Sequence, residues 1–176
     1  MNGKEHFFVT LIVMLVIGYF TSDRINMFYW YILTIGAVMS SNSSRDYGFN
    51  IFSPDIDLVF LKYGKNIHRK WYTHSYVPTI PLFLLSYTYI DSLIFRVFVN
   101  GVIIGWNLHV LEDVLGDYLK YRKTRFSNVV IATSIIGVIF GVVATLFILG
   151  NTEFSFVFTL IYSTLYFGVP FELLFG

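Results

Sequence analysis

Apolar stretches of helical length, parted by short polar turns, dominate this chain and make a lipid bilayer its natural solvent. Six can be marked, at 7–20, 27–39, 76–90, 93–115, 129–149 and 154–175. Crossing a hydrocarbon core of ~30 Å takes about 20 helical residues. The last three segments reach that length. The first three need interfacial side chains such as Tyr29, Trp30 and Tyr31 to complete them, or a thinned bilayer. Pro78 and Pro81 predict a bend near the start of the third. Only 13% of residues are charged and 56% are hydrophobic, which leaves too little polar surface to cover a water-exposed globule. The mean hydropathy is +0.66. The expected fold is all-α: a multi-pass transmembrane helical bundle of about six spans, forming one integral membrane domain over residues 1–176.

The first segment has the general shape of a secretory signal, with Lys4 ahead of an apolar run. No small-x-small cleavage site follows, because the next residues are Thr21, Ser22, Asp23 and Arg24. It therefore reads as a retained span. Basic residues set the orientation. Lys4, Arg45, Lys62, Lys65, Arg69, Lys70, Lys120, Arg122, Lys123 and Arg125 fall on one side of a six-span alternation; only Arg24 and Arg96 fall towards the other. The positive-inside rule then predicts an N-in, C-in protein. Two glycine pairs, Gly101 with Gly105 and Gly137 with Gly141, have the spacing that lets membrane helices approach closely. Ser40–Ser44 is expected to be a loop.

The net charge is +1, which argues against a broad basic surface for nucleic acid, so no nucleic-acid partner is expected. With no cysteine, disulfides, thiolate metal sites and cysteine nucleophiles are excluded. The chemistry must come from histidine and carboxylate. All four histidines, His6, His68, His74 and His109, fall at or near the expected cytoplasmic face. Asp55, Asp57, Glu112, Asp113 and Asp117 fall on the same side. Imidazoles and carboxylates at one depth are what a zinc, iron or manganese site requires.

His109 and Asp113 stand four residues apart, so on a helix they share a face and could chelate one ion. Ionisable side chains in an apolar span are expensive and are usually functional or paired. The competing reading pairs them with each other or with basic residues of the loop. In an extended Asp55-Ile56-Asp57, alternate side chains would offer two carboxylates to one or two metals; a solvated turn is the plainer alternative. In the segment 68–75, His74 could ligate, His68 could ligate or move protons, and Arg69 could hold a phosphoryl oxygen through its forked donors. That segment could instead rest on anionic headgroups.

Glu5-His6, Ser-Pro-Asp-Ile-Asp at 53–57, His-Arg…Thr-His-Ser at 68–75 and Gly105…His109…Asp113 follow one another as in the YdjM-like membrane-bound metal-dependent hydrolases, which the first two-thirds of the chain resembles. Three residues here separate His-Arg from Thr-His-Ser, and Leu58 follows Asp57. The resemblance implies a helical membrane protein whose metal site draws on His6, Asp55, Asp57, His68, His74, His109 and Asp113. The site motifs would thus lie within 1–117, with additional membrane helices at 129–175. It also implies distant similarity to zinc phospholipase C and related nucleases, whose substrates are phosphoesters.

The expected function is a metal-dependent hydrolase, zinc being the expected ion, acting on a phospholipid or other phosphoester at the cytoplasmic membrane face. Arg69, His68 and Asp57 are the catalytic candidates. The alternative is a non-enzymatic membrane protein whose polar cluster is structural or binds a partner. A transporter is disfavoured because the other spans place no ionisable residue near the bilayer midplane.

Overall fold

The computed structural model describes residues 3–42, 52–57, 74, 77–124 and 126–151, with the side chains at 3–4 and 56–57 outside that set. Among the described residues are five α-helices: α1 (Gly3–Thr21), α2 (Met27–Ser41), α3 (Thr79–Thr88), α4 (Leu93–Tyr121) and α5 (Asn128–Ile148). A 3₁₀ turn spans Pro54–Asp57. The all-α expectation is met. Two helices, α4 and α5, are long and apolar enough to cross a membrane. The expected span at 154–175 lies outside the described residues.

Local chemistry sets the helix starts. The Asn26 side chain accepts the Phe28 amide at 2.9 Å. Ser92 takes the Phe95 amide and Ser127 the Val130 amide, each at 3.3 Å. Each cap satisfies a backbone donor that the first helical turn leaves over. α3 is short: it begins after Pro78, tolerates Pro81 in its first turn where no amide is needed, and stops at Thr88. α4 ends at Arg122, which adopts a left-handed conformation (φ 58°) and returns its amide to the Tyr118 carbonyl at 2.9 Å.

α4 is the axis of the bundle, and every residue from Val99 to Val110 is buried. Such a helix must be covered on all sides. Gly101 and Gly105 bring its backbone against α2, where a Cβ on either would collide with the carbonyl oxygens of Leu33 and Ala37 respectively. Ser40 Oγ bridges the two helices by donating to the Val102 carbonyl at 2.9 Å. Ser40 and Ser41 are therefore the buried last turn of α2, and the loop expected from residue 40 starts later. Their hydroxyls, a loop signal in isolation, are absorbed by the Val102 carbonyl and by carbonyls of α2 itself.

On the other flank Gly137 and Gly141 of α5 receive Asn107 and Ile104 of α4. Phe83 of α3 packs with Val99, Ile103, Phe140 and Ala144. Met14 of α1 joins Leu33, Ala37, Val97, Ile104 and Leu108. Side chains facing away from the core are often large and apolar, among them Phe8, Ile12, Val16, Phe20, Ile35, Ile135 and Ile139, all exposed. Soluble proteins rarely leave so much apolar surface on display.

Candidate metal centre

His109, Glu112 and Asp113 occupy one face of α4, at spacings of three and four residues. The first turn of α1 brings His6 to that face, and the end of α2 brings the Ser41 carbonyl. The 3₁₀ turn delivers Asp55, pinned where its amide donates to Ser53 Oγ at 3.3 Å. His74 arrives just before α3, with Phe126 beside its ring. His6, Asp55, His74, His109, Glu112 and Asp113 are each no more than 7% exposed. Carboxylates removed from water need nearby positive charge or hydrogen-bond donors.

Two hydrogen bonds decide which imidazole nitrogens are available. His109 Nδ1 lies 2.8 Å from the Ser41 carbonyl, an acceptor without a proton to give. Nδ1 therefore carries a proton, and in the neutral ring Nε2 is the nitrogen that keeps its lone pair. That Nε2 is buried and makes no hydrogen bond among the described residues. His6 Nδ1 donates to Glu112 Oε2 at 2.5 Å, and Thr10 Oγ1 donates to Glu112 Oε1 at 3.0 Å. His6 Nε2 is thereby turned towards Asp113. Fixing the outer nitrogen of a histidine so that the inner one faces a cation is the usual support of a metal ligand.

The inner atoms are spaced as donors to a shared ion would be. His6 Nε2 is 3.5 Å from Asp113 Oδ1, and His74 Nε2 is 3.4 Å from Asp55 Oδ1. His109 Nε2 is 3.7 Å from Asp55 Oδ1 and 3.9 Å from Asp113 Oδ2. Most of these are long for hydrogen bonds. Two donors each ~2.1 Å from a shared tetrahedral ion stand roughly 3.4 Å apart, at the short end of the 3.4–3.9 Å found here. Two buried triads, His6–His109–Asp113 and Asp55–His74–His109, could each hold a metal ion, with donor atoms inside each triad lying within 4.8 Å of one another.

Of the residues expected from sequence, His6, Asp55, His74, His109 and Asp113 are brought together. His68 and Arg69 lie outside the described residues, as does the Asp57 side chain. The extended arrangement expected for Asp55-Ile56-Asp57 is replaced by the 3₁₀ turn. In the sequence Glu112 is one of the acidic residues of this side and has no role of its own; its position three residues after His109 is the signal that could have given it one. Thr10 and the Ser41 carbonyl carry no signal in the sequence. The chain matches no family model, no curated protein and no solved structure.

Proposed function

We propose that this chain is a multi-pass membrane protein of about six spans that holds a divalent transition metal, zinc by the character of its donors, and hydrolyses a phosphoester at the cytoplasmic face. The observation that carries the reading is the convergence of His6, Asp55, His74, His109 and Asp113 from separate segments, with the His109 lone pair freed towards its neighbours by the Ser41 carbonyl. The outward apolar side chains of α1, α2 and α5 support a lipid environment. The distribution of lysine and arginine along the chain supports the N-in, C-in orientation, with the site inside.

When bound, such an ion supplies Lewis acidity, lowering the pKa of a water towards ~7 and polarising a phosphoryl oxygen. The chain's own part is positional. Glu112 and the Ser41 carbonyl hold the tautomers of His6 and His109, and the burial of the cluster excludes bulk water. The sequence itself adds one carboxylate among Asp55, Asp57 and Asp113, with Asp57 the catalytic candidate, as the base, His68 as a proton carrier and Arg69 as the group that balances phosphoryl charge.

The test is turnover. Tag-free, zinc-loaded protein in detergent should hydrolyse bis(4-nitrophenyl) phosphate or phospholipid in mixed micelles, and lose this on chelation and in His109→Ala. Loaded protein that turns over neither substrate contradicts the hydrolase. Near-complete burial of the donors favours a second reading, a closed structural metal site that clasps α1 and the 3₁₀ turn to α4. Loaded protein that is inert but loses thermal stability on chelation would fit that reading.

A further inference from the structure

We infer that the turn joining α1 to α2 is a seat for a zwitterionic phospholipid with an ammonium headgroup, in the leaflet opposite the metal centre; the inference rests on the membrane reading above. α1 has 19 residues, so its last turn lies about 28 Å from the first turn, where His6 meets the cluster. At that far end Leu15, Gly18 and Tyr19 face Ile25, Met27 and Trp30 across a pocket of about 300 Å³. This volume is at the lower end of what small-ligand sites enclose. Leu15, Tyr19 and Met27 are each more than half exposed, so the rim lies on the outer surface of the bundle. Ile25 is buried, held in the turn because the Thr21 carbonyl accepts its amide at 2.9 Å and that of Arg24 at 3.0 Å.

One polar group in this apolar wall is unmet. Trp30 Nε1 is closed off from solvent and makes no hydrogen bond among the described residues. The indole rests on Gly18, where a Cβ would collide with Nε1. Ser22 also lines the pocket, but its hydroxyl already donates to the Tyr19 carbonyl at 3.0 Å. A donor without an acceptor is costly in a bilayer, and an indole N–H at interfacial depth ordinarily finds one. The ester end of an acyl chain supplies both needs, a carbonyl oxygen for the indole and hydrocarbon for Leu15 and Ile25. The apolar run of α1 gives way to Thr21-Ser22-Asp23-Arg24 here, which is where headgroups and ester groups begin.

The charges at the rim select the headgroup. Asp23 and Arg24 lie between Ser22 and Ile25, both of which line the pocket. Their side chains are 75% and 41% exposed, with Asp23 Oδ2 and Arg24 Nε 3.9 Å apart. Exposed pairs of that kind are held weakly. Side by side they present an anion and a cation, the complement of an ammonium and a phosphate on one headgroup. Guanidinium forks suit phosphate oxygens. A headgroup of net negative charge would satisfy Arg24 and meet Asp23 unfavourably.

The test is lipid retention. Tag-free wild type, delipidated in mild detergent, is offered equal amounts of phosphatidylethanolamine and phosphatidylglycerol, and bound lipid is counted by native mass spectrometry. One phosphatidylethanolamine per chain should be retained, favoured about two- to fivefold over phosphatidylglycerol, the scale of one exposed charge contact. Asp23→Asn, at an exposed position, should remove the preference, and Trp30→Phe should weaken retention of both lipids. In phosphatidylglycerol vesicles, added phosphatidylethanolamine brominated on its acyl chains should quench the part of the tryptophan emission that Trp30→Phe removes. Equal retention of the two lipids by wild type, or retention of neither, overturns the inference and leaves the membrane and metal readings standing. A chain that stays in solution without detergent overturns the membrane reading with it.

Discussion

Glu112 meets His6 at 2.5 Å across 106 residues of chain, tying the first turn of α1 to the C-terminal half of α4. The contact makes α1 part of the site as well as of the bundle. Glu112 is a positioning residue: it bonds the outer nitrogen of His6 and so fixes which one points inward. Glu112→Gln should therefore leave the protein folded and weaken metal affinity by about 10–100-fold, the usual effect of losing such a support. Competition titration reads this, and Glu112→Asp should restore part of it.

Gly105 tests the packing that sets the site's frame. Its missing Cβ lets α4 lie on Ala37 and Ser40 of α2, one turn away from where His109 reaches Ser41. Gly105→Val should destabilise the protein by about 3 kcal/mol or more, because the obstacle is backbone rather than a movable side chain. Thermal unfolding in detergent should show the loss, and metal affinity should fall with it as His109 loses its anchor.

A control lies away from the cluster on the same helix. Asn100 is fully buried and donates to Thr145 Oγ1 at 3.1 Å and to the Tyr87 hydroxyl at 3.2 Å. Hydrogen bonds between membrane helices are worth about 0.6–2 kcal/mol. Asn100→Leu should lower stability by roughly that amount while leaving metal stoichiometry unchanged, which separates folding effects from site effects.

Orientation can be read directly because the chain contains no cysteine. Lys123 and Asp91, both exposed, lie beyond opposite ends of α4 and suit single substitutions to cysteine. In oriented vesicles a membrane-impermeant maleimide should label Lys123→Cys from the cytoplasmic side and Asp91→Cys from the other. Labelling of both from one side would contradict the crossing of α4.

Much of this architecture is legible in the residues because it follows from local rules. The apolar segments at 27–39, 93–115 and 129–149 foretell α2, α4 and α5, and the spacing of His109 and Asp113 alone places two donors on one helical face. What escapes the sequence is non-local. α4 runs on to Tyr121 rather than ending near Leu115, because Asp117 continues the buried face for another turn. Hydropathy alone treats that polar turn as loop. Ser40 and Ser41 look like loop residues until Val102 is placed beside them. Glu112 looks like one more acidic side chain until α1 returns to it.

The central claim is that this His and Asp cluster binds metal, and elemental analysis of tag-free protein purified without added metal is its most direct test. At least one equivalent of a transition metal per chain should accompany the wild type, and His109→Ala, purified alongside, should fall to background. Wild type carrying no stoichiometric transition metal, and taking none up when zinc is supplied, would contradict the account.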